Sequence, residues 1–255
     1  MQTRVTVPKP VGLGRETKAR AAARAALLDV LWGPKGRRLP TERALVTAIE
    51  ACDPRDLWWV CEANSAGPVY LLPTRGWVER LARWVDETGA QTVLEVGAGD
   101  GFLSACLARA RPSLKVIATD DGSWRAPAAR MSAEDRAIYQ GVTFAGITPS
   151  HPVERLGAAA AVERYQPDLV IVAWAPPGRM VERVIRAPSK LVLEIGAEGG
   201  VTGDDARTWR YEKEFIEGPL QDKAICRLDA RPSEGRATRI TLYYGRAHPL
   251  HGRVD

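Results

Sequence analysis

The sequence predicts an α/β protein whose mostly parallel sheet ends in a C-terminal β-hairpin and follows a helical N-terminal extension. Two observations support this fold class. From Gln91 onward, short apolar runs alternate with helical stretches, a pattern typical of βα units and a parallel sheet. Near the C terminus, two apolar runs flank residues 231–235, whose Pro, Ser and Gly favour a hairpin connection.

Residues 1–70 are predicted to form a basic helical extension, and residues 71–255 the α/β domain. An alanine-rich stretch over 16–31 carries leucines near its end and predicts the first helix. The second helix is predicted to run from Thr41, whose side chain can cap it, to about Cys52. Both helices therefore belong to the extension and not to the predicted sheet domain.

The stretch Thr92 to Ser104, TVLEVGAGDGFLS, dominates the predicted domain. An apolar run ends in three alternating glycines, Gly97, Gly99 and Gly101, and an apolar helix start follows at once. Glycine is needed where a Cβ would forbid a positive φ or block the close approach of a ligand to the backbone. The helix start adds unpaired N–H donors and a partial positive charge. These features together predict a ligand-binding strand, turn and helix.

The other elements of the domain follow in chain order. Strands are predicted over 92–96, 115–119, 142–146, 168–174, 190–195, 224–229 and 237–245. Helices are predicted over 74–87, 101–110, 126–138, 152–165, 179–186 and 204–209. Asp120 and Asp121 follow the second of these strands, about 20 residues past the glycines, where an acid can accept hydrogen bonds from a ribose diol.

With Glu95 two residues before the first glycine, this stretch resembles the E/D-x-G-x-G-x-G signature of class I S-adenosylmethionine-dependent methyltransferases. By element order, the resemblance covers roughly Tyr70 to the C terminus. It implies a Rossmann-like, seven-stranded, mostly parallel sheet with a C-terminal β-hairpin, and S-adenosyl-L-methionine as the cofactor. Dinucleotide-binding proteins have the spacing G-x-G-x-x-G instead, so a nucleotide-dependent oxidoreductase is disfavoured.

Ligands of open parallel sheets bind beyond the carboxyl ends of the strands. The resemblance therefore implies a cofactor site at Tyr70, Arg75, Glu95, Gly97, Ala98, Gly99, Gly101, Asp120, Asp121, Trp124, Ile147, Thr148 and Trp174. Arg75 could pair with the cofactor carboxylate or form a surface salt bridge. Trp124 could cover the adenine, or pack in the core or at the surface. Residues 147–151 hold no acid for the adenine amino group, so a backbone or hydroxyl group takes that role, or adenine recognition is weaker than usual in the family.

Methyl transfer from a sulfonium needs few catalytic groups. The cofactor carries the activated methyl group, so the protein mainly holds donor and acceptor in line. A general base is needed only where the acceptor atom carries a proton that must leave. His151 is the candidate base, and the alternative is a histidine hydrogen-bonded at a helix start. Trp174 is the second candidate catalytic residue, as one wall of the acceptor pocket, and the alternative is a core tryptophan at a strand end.

The segment after the fourth strand argues against two acceptors. Enzymes that methylate exocyclic amines of bases commonly carry Asp, Asn or Ser there, followed by two prolines and an aromatic residue. This chain keeps Pro176 and Pro177 but has Ala175 and Gly178 in the polar and aromatic positions. The amine would lose a hydrogen-bond acceptor, and the base would lose its stacking platform. We therefore expect no methylation of adenine N6 or cytosine N4.

The composition of the 255 residues, 45% hydrophobic and 26% charged, is ordinary for a soluble globular protein. No stretch has the ~18 continuous apolar residues of a membrane span, and the N terminus lacks the apolar core of a signal peptide. We therefore expect a cytoplasmic protein without a membrane partner. The four cysteines form no C-x-x-C pair and no histidine lies near them in sequence, so no metal site is expected.

Positive charge is concentrated in the first fifth of the chain. Residues 1–50 hold ten Lys/Arg and four Asp/Glu, whereas the whole chain carries a net charge of +5. Residues 15–43 could therefore bind nucleic acid or an acidic partner. The alternative, a solvated helix pair packed on the domain, is favoured because no nucleic-acid-binding motif accompanies the charge.

The resemblance predicts an S-adenosylmethionine-dependent methyltransferase whose acceptor is unidentified. A small molecule is the first expectation, because the extension can form a lid over the cleft at the strand ends. An RNA or protein acceptor is the alternative that the basic N terminus supports. A different class of function is a non-catalytic, methyltransferase-like binding module that keeps the cofactor pocket.

Overall fold

The computed structural model describes residues 17–53, 69–122, 151–175, 178–197, 205–216 and 238–252, together with Thr202, Gly218 and Leu220. Helices span Lys18–Leu31 (α1), Glu42–Glu50 (α2), Arg75–Thr88 (α3), Phe102–Ala110 (α4), Ala158–Tyr165 (α5), Met180–Arg186 (α6) and Asp205–Thr208 (α7). Strands span Trp32–Gly33 (β1), Gly36–Arg37 (β2), Thr92–Val96 (β3), Lys115–Asp120 (β4), Val153–Arg155 (β5), Leu169–Ala173 (β6), Leu191–Ala197 (β7), Lys213–Phe215 (β8) and Thr238–Tyr244 (β9). Among these described helices, none combines the length and the apolar character that a membrane crossing requires.

Strands β3 to β9 form one seven-stranded sheet in the order β5-β4-β3-β6-β7-β9-β8. Neighbouring strands from β5 to β7 pair in parallel, and β9 runs antiparallel to both β7 and β8. Six strands therefore point one way and β9 points the other. The predicted seven-stranded, mostly parallel sheet with an antiparallel C-terminal end is confirmed.

The strand side chains alternate between two faces that are both covered by helices, as expected of a buried parallel sheet. On one face, Val93 of β3 packs in a cluster with Leu81 of α3 and Leu107 of α4. On the other face, Leu94 of the same strand packs in a cluster with Val184 of α6. Consecutive residues of β3 thus serve opposite layers, and the sheet is the middle of three layers.

The sheet edge beside β4 differs from the sequence prediction. The predicted helix over 152–165 is wrong in its first part, because Val153–Arg155 forms β5 and the helix begins only at Ala158. β5 pairs in parallel with residues 118–120 of β4. Pairing with a neighbouring strand outweighs the local preference of so short a segment.

The antiparallel end of the sheet also contains an unpredicted strand. β8 is the edge strand that pairs with β9, and the sequence predicts no strand at this position. Two of its three residues are charged and its Phe215 ring is exposed, features of a short edge strand without an alternating apolar pattern. The predicted strands 142–146 and 224–229, the helix 126–138 and the hairpin connection 231–235 lie outside the described residues. The other predicted strands and helices of the domain are confirmed.

The extension forms a small core of its own. Thr41 caps α2 by accepting a hydrogen bond from the backbone N–H three residues on, and the hairpin of β1 and β2 joins the two helices. Leu27 of α1 and Leu45 of α2 pack in one buried cluster, which also includes Leu72. Both predicted helices are confirmed, whereas the domain boundary at residue 70 stays a prediction.

The packing of α3 on the sheet predicts the effect of a core truncation. Leu81 is fully buried in the cluster between α3 and the sheet. Leu81→Ala removes methyl groups and leaves a cavity, so it should lower the free energy of unfolding by about 2–5 kcal/mol. Arg83→Ala, at an exposed position of the same helix, is the control and should change it by less than about 0.5 kcal/mol. Urea denaturation measures both, and equal stability of the two variants would contradict this packing.

Candidate active site

The glycine loop, Gly97–Gly101, follows the carboxyl end of β3 at the point where the strand order reverses. β3 lies between β4 and β6, so chain connections leave this point in opposite directions and open a crevice. Gly97, Gly99 and Gly101 have φ values of +64°, +56° and +70°. Because residues with a Cβ rarely adopt such values, the predicted need for glycine is confirmed.

Two carboxylates cap the first turn of α4. Glu95 of β3 accepts hydrogen bonds from the backbone N–H of Ser104 at 2.9 Å and from the Ser104 hydroxyl. Asp100 of the loop accepts from the N–H of Phe102 at 3.1 Å. The N-cap residue, Gly101, has no side chain for this task. Acids from the strand and the loop therefore satisfy donors that a helix start leaves unpaired.

The burial of Glu95 shifts its protonation. The residue is 4% exposed. Desolvation disfavours the charged carboxylate and raises its pKa from 4.5 to about 7, against the lowering effect of the Ser104 hydroxyl. Asp100 raises this pKa further, and Arg37 lowers it. Near neutral pH, the Glu95 carboxyl therefore carries on average only part of a negative charge.

Asp120, the last residue of β4, ties the glycine loop to the neighbouring strand. Its Oδ2 accepts from the N–H of Gly99 at 2.9 Å, and its Oδ1 accepts from the N–H of Gly122 at 2.7 Å. The N–H of Ala98 also donates to the Thr119 carbonyl at 3.0 Å. Each carboxylate oxygen has two acceptor positions, so Asp120 keeps capacity for a further donor such as a hydroxyl.

His151 lies against the glycine loop, although the sequence placed it at a helix start. It is two residues before β5, because the segment at Pro152 leads into a strand. A Cβ built on Gly101 would lie 3.1 Å from the His151 Cβ and 2.7 Å from the Val153 Cγ2. Gly101 thus has no room for a side chain, and half-buried His151 packs beside the start of α4. Its role as a general base stays a prediction.

The β6-to-α6 connection is flanked by a strained residue, Trp174, and by Met180, which the sequence did not predict as a site residue. Trp174 has a φ of +59°, a left-handed conformation that costs a bulky residue on the order of 1–3 kcal/mol. Its N–H donates to the Ile195 carbonyl at 2.6 Å, which fastens it to β7. The sulfur and methyl of Met180 would lie 3.5 and 3.6 Å from a Cβ built on Gly97. Met180 is therefore a further candidate residue of this site.

Two predicted cofactor residues lie at the junction with the extension. Arg75 begins α3, and its Nε donates to the Leu39 carbonyl at 3.0 Å. This hydrogen bond thus links α3 to the extension.

Tyr70 is 37% exposed, and Asp121, after β4, is also exposed. The predicted cofactor residues Trp124, Ile147 and Thr148 lie outside the described residues.

Arg37, from β2 of the extension, contacts the glycine loop, which the sequence analysis also missed. Its Nη1 donates to both carboxylate oxygens of Asp100 at 3.1 and 3.2 Å, and its Nη2 donates to the Leu71 carbonyl at 3.1 Å. The guanidinium lies 4.0 Å from the centroid of the Phe102 ring. From its charge, Arg37 was counted with the segment 15–43 that could bind an anionic partner. In the structure, its side chain instead points toward the domain and is only 13% exposed. The sequence offered one signal for this contact, namely the acidic residue Asp100 just before the start of α4, which could have been expected to attract a cation.

Several solved structures similar to this chain are methyltransferases. The 23S rRNA methyltransferase ErmE is 20% identical, the match covers 68% of this chain and 68% of that chain, and the TM-score is 0.38. The methyltransferase domain of bacterial CtHen1 is 13% identical, with 67% of this chain and 98% of that chain covered and a TM-score of 0.41. The N-terminal domain of EvdMO1, solved with S-adenosylhomocysteine (SAH) and D-fucose, is 16% identical, with 66% and 83% covered and a TM-score of 0.37.

No protein-family model and no curated protein matches the chain. The predicted Rossmann-like fold is confirmed by the sheet itself: β3 lies between β4 and β6, and β9 is the single reversed strand among the described strands of the sheet.

The raised pKa of Glu95 predicts a pH-dependent stability. Between pH 4.5 and about 7, the folded protein holds a proton that the unfolded chain has released. The free energy of unfolding should therefore fall as pH rises through this window, by roughly 3 kcal/mol from Glu95 alone. Glu95→Gln keeps an acceptor for Ser104 but does not titrate. The free energy of unfolding of this variant should therefore lack the decrease of roughly 3 kcal/mol that Glu95 causes in the wild type.

Urea denaturation at pH steps across this window measures the difference. Glu87→Gln, an exposed position of α3, is the matched control and should follow the wild-type profile. Parallel profiles for the wild type and Glu95→Gln would show that Glu95 has no raised pKa in the folded protein.

Proposed function

We propose that the protein is an S-adenosyl-L-methionine-dependent methyltransferase that acts on a small-molecule acceptor. The observation that carries this proposal is the start of α4, which the protein's own acids Glu95 and Asp100 cap. The N–H groups of Phe102 and Ser104 are therefore already occupied and do not serve as anchors for a phosphate group of a ligand. S-adenosylmethionine carries no phosphate and does not need these donors, so it suits the site.

The same geometry argues against a dinucleotide cofactor. Dinucleotide sites place a pyrophosphate on the unpaired N–H groups of a helix start. Here carboxylates already accept from the N–H groups of Phe102 and Ser104, so these two donors are not available to a phosphate. The helix start thus supports the methyltransferase interpretation independently of the glycine spacing.

The residues around the glycine loop fit this cofactor. Gly97 and Gly99 hold positive φ values and present backbone without a Cβ, which suits close approach by the amino-acid part. Asp120 has acceptor capacity left for ribose hydroxyls. Met180 lies over Gly97 and would bound the cofactor on the β6 side. When bound, the cofactor supplies the activated methyl group.

The contribution of the protein to transfer is mainly orientation. Holding donor and acceptor in line can lower the barrier by ~7–11 kcal/mol without any covalent step on the protein. Trp174 and Met180 lie on either side of the β6-to-α6 connection and would bound the acceptor. His151 lies beside the loop and would take the proton of a hydroxyl or amine acceptor.

The position of the extension favours a small-molecule acceptor. The hairpin of β1 and β2 contacts the glycine loop through Arg37, so the extension lies next to the strand ends and can restrict access to them. Because Arg37 is engaged in this contact, it cannot contribute its charge to the predicted nucleic-acid-binding surface over 15–43. An RNA acceptor is therefore the second candidate.

The proposal predicts that purified protein binds SAH. Asp120→Ala removes the acceptor for ribose hydroxyls and the partner of the Gly99 N–H, so it should weaken binding by about 1.5–3 kcal/mol. Calorimetry measures both proteins, and Glu163→Gln, at an exposed position of α5, should bind like the wild type. Tight binding of NADH without binding of SAH would sink the proposal. Release of SAH with any small-molecule acceptor would exclude a non-catalytic binding module.

Trp174 predicts a split between cofactor affinity and turnover. Trp174→Ala should reduce methyl transfer, followed as SAH release, and leave SAH affinity nearly unchanged, because in this proposal the ring would bound the acceptor and not the cofactor. Trp174→Gly removes the same ring but suits the left-handed backbone, so it should be more stable than Trp174→Ala by about 1 kcal/mol. Equal loss of cofactor affinity and turnover in both variants would contradict an acceptor role.

A further inference from the structure

Arg37 joins the extension to the glycine loop through three contacts at once. Its guanidinium donates to Asp100 and to the Leu71 carbonyl, and it lies over the Phe102 ring. The side chains of Arg37 and Asp100 are only 13% and 17% exposed. A pair so shielded from water is screened little by salt and is held in one geometry, in contrast to surface ion pairs.

Asp100 connects this contact to the start of α4. The carboxylate that receives Arg37 also accepts from the N–H of Phe102 at 3.1 Å. Phe102 is thus held twice, by its backbone through Asp100 and by its ring under the guanidinium. On the side of the extension, the antiparallel pairing of Arg37 with Trp32 fixes the backbone that carries the guanidinium.

We propose that Arg37 is a positioning residue for the cofactor site. By holding Asp100 and Phe102, it keeps the glycine loop in its binding conformation and couples cofactor affinity to docking of the N-terminal extension. This inference rests on the proposed function. The coupling is reciprocal, because a docked extension that strengthens cofactor binding is itself stabilised by bound cofactor to the same factor.

The expected effect of removing Arg37 follows from the change in the surroundings of Asp100. Removal of Arg37 takes a charge-assisted, two-oxygen contact from a carboxylate that is largely shielded from water. A turn of Asp100 toward solvent would regain hydration but release the N–H of Phe102 and loosen the loop. Arg37→Lys keeps the charge and loses the guanidinium that lies over the Phe102 ring, so it should have a smaller effect in the same direction.

Three variants test the inference against the wild type: Arg37→Ala, Arg37→Lys and Arg38→Ala. Arg38 is the matched control, because it neighbours Arg37 but donates to the Asp29 carbonyl at 2.8 Å. Calorimetry with SAH should show affinity reduced about tenfold in Arg37→Ala, less in Arg37→Lys, and unchanged in Arg38→Ala. Asp100→Asn should weaken binding as Arg37→Ala does, and the double variant should lose little more.

Hydrogen exchange adds a readout that needs no cofactor. In ligand-free protein, Arg37→Ala should speed exchange over residues 97–104 by about tenfold, and Arg38→Ala should not. SAH should slow exchange over residues 18–50 in the wild type, and it should do so less in Arg37→Ala.

The outcomes separate a positioning role from a purely structural one. A structural Arg37 would lower the melting temperature alone, so unchanged SAH affinity in both Arg37 variants overturns the inference. Should Arg37→Ala not fold, Arg37→Lys and Asp100→Asn give the same comparison. A wild type that binds no SAH overturns the proposed function, and the exchange of the ligand-free loop then decides the positioning role. Faster loop exchange in the Arg37 variants supports that role, and wild-type exchange overturns it.

Discussion

The hydrogen bonds from Ser104 to Glu95 hold the candidate site together, because they join the end of β3 to the first turn of α4 across the glycine loop. With both ends fixed, the short loop closes only through left-handed glycines. Asp120 adds a third fixed point by accepting from the N–H of Gly99. The loop is therefore held by its own strand, by its own helix and by the neighbouring strand. A site ordered in this way before a ligand arrives avoids part of the entropic cost of binding.

Three carboxyl groups lie around this loop, and the fold compensates each of them differently. Arg37 neutralises Asp100 in a partly buried ion pair. Glu95 is buried beside the first turn of α4, and its pKa of about 7 leaves it partly protonated near neutral pH. Asp120 accepts from two backbone N–H groups and stays partly open to solvent. This division lets the protein concentrate acidic groups at a helix start without leaving a buried carboxylate uncompensated.

Sequence patterns predicted those parts of the molecule that neighbouring residues determine. The strand, turn and helix of Thr92–Ser104 were predictable, since apolar runs and glycine spacing are local features, and the same holds for most of the sheet. β5 and β8 were not, because three-residue edge strands exist through their partner strands and carry no pattern of their own. The inward direction of Arg37 depends on an acid 63 residues away, which charge counting does not reveal.

The strand order also governs how the molecule assembles during synthesis. β3 finds β4 soon after it in the chain, with Thr92 opposite Lys115, but finds β6 much later, with Val93 opposite Leu169. Closing the longer loop costs more conformational entropy, so the unit of β3, α4 and β4 forms first. That unit already contains the glycine loop and Asp120, whereas Trp174 arrives with β6. A nascent chain would thus complete the glycine loop and its contact with Asp120 before Trp174 has left the ribosome.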